Sequence, residues 1–592
     1  ARTALVTTAG FEDVIEIGRQ NRTDLYDLLY DRPQPLVPRE LRFGVRERVE
    51  YDGRVLTDLD PREAERVVRA LEDTSAEAVA VSLLFSFRNA VHERVVLEAL
   101  ERARRRFYLS VSSQVLPEFR EYERTSTVVV NAYVGPIMER YLDNLGKALP
   151  GLRIMQSSGG SITVGLAARQ PVRTILSGPA GGVVGAFYTA QQARLPDVIT
   201  LDMGGTSTDV SLCPGRIKET TSSTVAGYPI GVPMIEVHTV GAGGGSIARV
   251  DQGGALVVGP QSAGADPGPA CYGKGEEVTV TDANLLLGRL QPEHFLGGRM
   301  RLDVGRARWA LERLARSLGG DVRATALGVV RVVNANMERA IRAISLERGY
   351  DPRQFTLLPF GGAGPLHACE LAEELRIPRV LVPPHPGILS ALGVAIADIV
   401  KDYSLTVMLR GGELTRERLE QGFAELEERA RAELKEEGVA ARRLVSQRAL
   451  DVRYVGQSYE LTVDYPRRQG DVLRQVAGAF HRAHQQRFGY SDPREPVEVV
   501  NLRLKMVVPM DKPQATPQEA AGADASAARL GEAPVVFRGG EAAASLYLRE
   551  RLRAGNRVAG PALVLQMDST VVVPPGWAGT VDPYGNLVLA QG

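Results

Sequence analysis

Residues 197–213 read DVITLDMGGTSTDVSLC, and the segment Asp202-Met203-Gly204-Gly205-Thr206-Ser207-Thr208-Asp209 within them decides the fold. An apolar, β-branched run delivers Asp202, two glycines make a turn, and a second apolar run follows Asp209. That pattern predicts a strand, a tight turn and a second strand. Gly204 and Gly205 carry no side chain, so backbone N–H groups there can point at phosphate oxygens. Thr206, Ser207 and Thr208 add hydroxyl donors. Asp202 and Asp209 can hold Mg²⁺ directly or through its waters, since that ion prefers oxygen ligands and keeps several waters. Phosphoryl transfer asks a protein mainly for positioning and charge neutralisation, and this loop supplies both. The competing reading is a glycine hairpin with polar decoration.

Further along, Phe360-Gly361-Gly362-Ala363-Gly364-Pro365-Leu366-His367 follows the apolar run Phe355–Pro359. A strand entering GGAG and then a helix lets a flat ring or a ribose approach the backbone closely. Gly361, Gly362, Ala363 and Gly364 are therefore candidates for the adenosine side of a nucleotide. A phosphate loop first and an adenosine loop later is the order expected of actin-like ATPases and sugar kinases. Between them lie Gly241-Ala242-Gly243-Gly244-Gly245-Ser246 and the Gly/Pro-rich stretch 264–273. Such stretches are not ordinary strand or helix interiors. They read as loops over a cleft or against a partner, with Gly243, Gly244, Gly245 and Ser246 as the reaction-side wall.

The bulk composition narrows the field. The chain has 592 residues, 44% of them apolar, with 71 basic and 71 acidic side chains and zero formal net charge. Zero net charge gives no electrostatic reason to expect nucleic acid as the partner. The three cysteines, Cys213, Cys271 and Cys369, form neither a disulfide framework nor a CxxC site, which fits a reducing cytoplasm. No apolar run is long enough for a membrane span, and no secretory signal pattern is present. Residues 1–8 (ARTALVTT) already read as a strand without a starting Met, so the chain is expected to begin within a fold.

Strands alternating with helices argue for α/β layers. Five blocks are expected. Residues 1–195 mix strands with helices at 61–72, 90–106 and 125–149, the last bent or divided at Pro136. Residues 196–400 hold both glycine loops. Residues 401–510 form an α+β block, with a charged helix at 414–437 and a strand at 452–465. Residues 511–532, rich in Ala, Pro and Gln, read as a linker. Residues 533–592 read as a small β-rich domain.

Of seven histidines, none stands in an HExxH or HxxxH pattern, so no transition-metal site is expected. His238, just before the triglycine loop, and His367, just after GGAG, are the acid/base candidates. Cys271 has no basic neighbour to activate it and reads as a buried small thiol. Arg120–Arg124 (REYER) reads as an ion-pair cluster or a partner surface.

Longer motifs carry a resemblance. SGPAGGVVGA (177–186), DMGGTSTDV (202–210), GAGGGSIARVD (241–251), SAGADPGPACYG (262–273), TVTDANLLLGRL (279–290) and FGGAGPLHA (360–368) resemble the hydantoinase A / 5-oxoprolinase family. REYERTSTVVVNAYVGP (120–136), MQSSGG (155–160), RYVGQSYEL (453–461) and GPALVLQMDSTVVVPPGW (560–577) do too. The resemblance implies an actin-like, sugar-kinase-like ATPase fold of two RNase H-like halves, the first incomplete here, followed by C-terminal α+β and β-rich domains. It implies ATP and Mg²⁺ as cofactors and a separate B-type hydantoinase subunit as partner, in a hetero-oligomer. The implied activity is ATP-dependent hydrolysis of a cyclic amide of the hydantoin, N-methylhydantoin or 5-oxoproline type. The lactam carbonyl oxygen is phosphorylated before the ring opens. A subunit of an ATP-dependent acetone or acetophenone carboxylase is the alternative, and a scaffold without ATP turnover a second one. On this carry-over Asp202 and Asp209 serve Mg²⁺, Gly204–Thr208 hold phosphate, and Gly361–Gly364 face the adenosine. The family's second phosphate loop, of the DxGGTFTD type, has no counterpart in residues 1–195, so half of the phosphate grip is expected to be missing from them.

Overall fold

A computed structural model describes residues 1–21, 26–29, 34–439, 443–466 and 470–592. Strands and helices alternate along most of its length, and the fold is α/β. The five sequence blocks do not survive as units. The chain divides into two compact units, one of residues 1–177, 219–234 and 398–510, the other of residues 178–218, 235–397 and 511–592. The expected boundary at 195 moves because the helix Ser177–Gln192 belongs almost wholly to the second unit. The 401–510 block joins the N-terminal segment, and the 533–592 tail joins the sheet of the Asp202 hairpin. A strand edge satisfies its hydrogen bonds wherever a partner edge lies, and composition does not reveal which edge that is.

The first unit holds a parallel four-stranded sheet in the order Arg42–Val45, Thr3–Thr8, Ala78–Ser82, Tyr108–Val111. The helix Pro61–Glu72 begins where Asp60 caps it and Pro61 presets its first turn. The helix Glu121–Ala148 runs unbroken through Pro136, so Pro136 does not divide it. A six-stranded sheet follows in the order Leu461–Asp464, Val445–Tyr454, Val497–Val508, Ile399–Arg410, Ser161–Thr163, Arg153–Met155. The single strand expected over 452–465 is instead the end of the strand Val445–Tyr454 and the whole of its antiparallel neighbour Leu461–Asp464. Residues 511–522 form no helix or strand.

The second unit is built on eight strands in the order His238–Val240, Thr208–Pro214, Asp197–Met203, Thr356–Phe360, Arg379–Val382, Leu587–Gln591, Trp577–Val581, Arg557–Ala559. The hairpin Asp197–Met203/Thr208–Pro214 is antiparallel, and Thr356–Phe360 runs parallel to its first strand. One core unites Ile199, Leu201, Met203 and Val210 of the hairpin with Val333, Met337 and Ile341 of the helix Val322–Ile344 and with Leu587 and Leu589 of the tail. Among the described residues, no helix is long and apolar enough to cross a membrane. No group of three or more His, Cys, Asp or Glu side chains there is placed to hold a metal ion.

Candidate active site

The hairpin register places Asp202 directly opposite Asp209. Residues paired across antiparallel strands leave the sheet on the same face, so the two carboxylates form a pair. Burial, and then the charge of Asp209, raise Asp202 to about 7. Burial also raises Asp209, against the lowering effect of a hydrogen bond from Thr239. Thr239 Oγ1 donates to Asp209 Oδ1 at 2.5 Å from the neighbouring strand, where the two residues are in register. Thr239 escapes a sequence reading; its only signal is a period-two position before the triglycine loop.

The turn itself corrects the expected donor set. The Gly204 N–H is spent within the turn, on the Ser207 carbonyl at 3.2 Å. Among the described residues, the N–H groups of Gly205, Thr206 and Ser207 make no hydrogen bond within the protein. The buried Thr208 hydroxyl donates to the Ala242 carbonyl and is not available to a ligand. A Cβ built on Gly204 or Gly205 would meet nothing within 4 Å. Neither glycine is required by neighbouring protein atoms, and the outer side of the turn is open space.

The triglycine loop is not an exposed wall. Gly243, Gly244, Gly245 and Ser246 are buried behind the turn. Gly244 and Gly245 donate their N–H groups to the carbonyls of Gly204 and Gly205 at 3.0 and 2.6 Å. A Cβ on Gly243 would lie 2.6 Å from the Gly205 carbonyl carbon, so only glycine lets the two backbones meet. Glycine here serves chain against chain, and a sequence cannot distinguish that from chain against ligand.

The GGAG segment comes to the same place. Phe360 is in register with Asp202, and the Ala363 N–H donates to the Met203 carbonyl at 3.0 Å. Gly361 has a left-handed φ of 75°, and a Cβ there would lie 2.5 Å from Asp202 Oδ1 and 2.5 Å from the Met203 carbonyl oxygen. Gly361, Gly362, Ala363 and Gly364 thus line up beside the Asp202 turn, ending at the start of the helix Gly364–Leu375.

Neither histidine belongs to this group. His238 is in register with Val210, whose side chain is in the core. It alternates with Thr239, so it leaves the sheet on the face opposite Asp209. His367 is fully buried. Its Nδ1 donates to Asn334 Oδ1 at 2.7 Å and its Nε2 accepts from Asn284 Nδ2 at 3.4 Å. Burial first, then the Arg289 charge, lower it to about 4, so it stays neutral. Asn334 also donates to Glu370, which pairs with the buried Arg289 at 2.6 Å. His367 is a link in a core network that anchors the Gly364–Leu375 helix. His367→Ala is expected to lose roughly 2–4 kcal/mol of stability in denaturant titration, because the buried Asn284 and the half-buried Asn334 both lose a partner. It should leave the shape of any pH–rate profile unchanged. Cys271 is buried as expected, and its thiol is pushed far up by burial and by the neighbouring Asp282.

The Hydantoinase/oxoprolinase family model matches residues 124–403, its N-terminal-region model residues 1–103 and its C-terminal-domain model residues 412–591. The chain belongs to the hydantoinase/oxoprolinase family. Caprolactamase subunit alpha of Pseudomonas jessenii is 37% identical, over 100% of this chain and 88% of its own. The crystal structure of ATP-dependent caprolactamase from Pseudomonas jessenii matches with a TM-score of 0.91 at 36% identity, covering 100% of this chain and 88% of that one. Acetophenone carboxylase gamma subunit of Aromatoleum aromaticum is 35% identical over 99% of this chain and 85% of its own.

Proposed function

We propose that this chain is the A-type subunit of an ATP-dependent cyclic-amide hydrolase that phosphorylates the lactam carbonyl oxygen before ring opening. The observation that carries the reading is the Asp202/Asp209 pair beside a turn with three open N–H groups and no side chain over its glycines. The 37% identity to a caprolactamase subunit supports a lactam as substrate. The strand order His238–Val240, Thr208–Pro214, Asp197–Met203, Thr356–Phe360, Arg379–Val382 supports an RNase H-like half of an actin-like ATPase.

An amide carbonyl is a poor electrophile because the nitrogen lone pair delocalises into it. Phosphorylating its oxygen removes that resonance and lets water open the ring. The N–H groups of Gly205, Thr206 and Ser207, with the Thr206 and Ser207 hydroxyls, would bind phosphate oxygens. Asp202 and Asp209 would hold Mg²⁺; two carboxylates suffice for an ion that keeps several waters. Bound there, Mg²⁺ would neutralise charge on the phosphates. Gly361–Gly364 would face the adenosine side. Thr239 would keep Asp209 oriented. A B-type subunit would complete the enzyme, in line with relatives that are themselves subunits.

A ketone carboxylase subunit is the second reading, favoured by the 35% identity to an acetophenone carboxylase subunit. ADP release by this chain with a B-type partner separates the two. Release with caprolactam, 5-oxoproline or hydantoin supports the first reading. Release only with acetone or acetophenone plus bicarbonate replaces it with the second.

Binding of Mg²⁺ needs an ionised Asp202, which is raised to about 7. Affinity for Mg-ATP is therefore expected to rise as pH climbs from 6 to 8, with a proton released on binding at neutral pH. Calorimetry in buffers of different ionisation enthalpy reads that proton. A pH-independent affinity without proton release would remove Asp202 from the metal site.

A further inference from the structure

The motif GPALVLQMDSTVVVPPGW at 560–577 takes no part in the site above, yet its turn reaches it. Residues 566–569 join the antiparallel strands Ala562–Leu565 and Thr570–Val573, and the Gln566 N–H closes the turn on the Ser569 carbonyl at 3.0 Å. The turn is seated on the loop 384–388. Gln566 Nε2 donates to the Pro384 carbonyl, and the Gly387 N–H donates to Asp568 Oδ2 at 2.8 Å. A Cβ on Gly387 would lie 2.7 Å from Asp568 Cβ, so only glycine admits the aspartate there. The same loop holds the GGAG segment, since the Pro386 carbonyl accepts the Gly361 N–H at 2.9 Å. A Cβ on Gly362 would lie 3.6 Å from the Asp568 carbonyl oxygen. Asp568 therefore stands beside Gly362, one residue from the glycine that meets Asp202.

Two groups of this turn are left unmet. Asp568 Oδ1 and Ser569 Oγ are shielded from water and have no hydrogen-bond partner among the described residues. Ser569 is 7% exposed, so the shielding is that of the whole side chain. A desolvated polar atom without a partner is costly and rare in folded proteins. Glu437 Oε2 is in the same condition, but it faces Arg153 at 3.7 Å. Asp568 has no cation within 4.0 Å among the described residues. The two unmet groups are consecutive, and beside them the exposed Gly362 has an N–H with no bond within the protein among the described residues. Met567 and Ile388, the neighbours of Asp568 and Gly387 in sequence, are exposed apolar side chains. A carboxylate oxygen with neither cation nor donor is matched by a neutral donor group, and apolar side chains around it suit a flat ring.

We propose that Asp568 recognises the nucleoside of the bound nucleotide, its Oδ1 accepting a hydrogen bond from that nucleoside with Ser569 as a second contact. The two donors of this chemistry are a ribose hydroxyl and the exocyclic amine of adenine. The inference rests on the nucleotide-binding part of the proposed function and not on the lactam.

The test is calorimetric titration of the full chain with Mg-ATP, with its 2′-deoxy and 3′-deoxy forms, and with Mg-ITP, which carries a carbonyl in place of the amine. Wild type, Asp568→Asn and Asp568→Ala are compared, with thermal melts beside them. Asn keeps one oxygen for the Gly387 N–H and puts an amide nitrogen in place of Oδ1, so it separates the nucleoside contact from the seat on the loop. The wild type is expected to bind one analogue about tenfold or more weaker than Mg-ATP, as loss of a charge-assisted hydrogen bond predicts. A gap at a deoxy form assigns the ribose, and a gap at Mg-ITP assigns the amine. In both variants Mg-ATP should weaken by that factor and the gap should close, with the affinity for the analogue unchanged. The proposal is overturned if the wild type binds all of these nucleotides alike, or if the gap persists in Asp568→Asn at an unchanged thermal midpoint, which would make Asp568 a seat for Gly387 and nothing more. If no nucleotide binds the wild type, the proposal falls together with the nucleotide site. A gap that closes as expected, without any lactam-dependent ADP release, counts against the proposed function alone.

Discussion

Asp202→Asn is expected to cut ATP-dependent turnover by about 10²–10³-fold and, in the same protein, to raise stability at pH 8. The two effects share one cause. The carboxylate is held in a partly buried position next to Asp209, which lifts it to about 7. Its unfolded value is that of an ordinary aspartate, near 3.9. Between about pH 4 and pH 7 the folded chain therefore binds more protons than the unfolded chain, and stability falls as pH rises through that window. Above pH 7 the cost is complete, and removing the charge recovers roughly 1–3 kcal/mol once partial solvent screening is allowed for. Below about pH 4 the variant and the wild type should melt alike. Denaturant titrations at pH 4 and pH 8, beside ADP-release assays, check both halves. A variant that loses turnover without gaining stability at pH 8 would show that Asp202 is not strained in the ligand-free protein.

The second large effect separates glycines that face protein from glycines that face open space. Gly361→Ala must place a Cβ 2.5 Å from Asp202 Oδ1 and 2.5 Å from the Met203 carbonyl, at a φ of 75°. Left-handed strain and overpacking together predict a loss of roughly 2–4 kcal/mol, with nucleotide binding lost alongside as Asp202 is displaced. Gly205→Ala meets no atom within 4 Å and has no left-handed φ. Its thermal midpoint should match the wild type, while its affinity for Mg-ATP falls about tenfold or more as the methyl enters the space offered to phosphate. Thermal melts and calorimetry on the pair decide the matter. If Gly205→Ala binds Mg-ATP as the wild type does, the open side of the turn is not the phosphate side.

These contrasts also mark what was legible in the sequence. DVITLDMGGTSTDVSLC identifies a hairpin, because β-branched runs interrupted by Gly-Gly have few other solutions; the register that the turn sets then puts Asp202 opposite Asp209. The α/β layering and the helix Pro61–Glu72 follow from local periodicity and capping in the same way. The triglycine loop reads ambiguously because glycine density reports that a backbone comes close to something without reporting what. At Gly243 that something is the back of the Gly205 turn. His238 and His367 stand beside glycine motifs in sequence, yet one leaves the sheet on the wrong face and the other is sealed among Asn284, Asn334 and Arg289.

What the sequence by itself determined is therefore local: the hairpin, its two carboxylates, the helix starts and the family motifs. Each follows from backbone sterics and side-chain period within a few residues. Tertiary structure alone decided three things: which N–H groups of the turn stay unbonded, which glycines back the turn and which leave it open, and which sheet receives the C-terminal strands. Each depends on hydrogen bonds and close contacts between segments far apart in the chain, whose pairing no local pattern encodes.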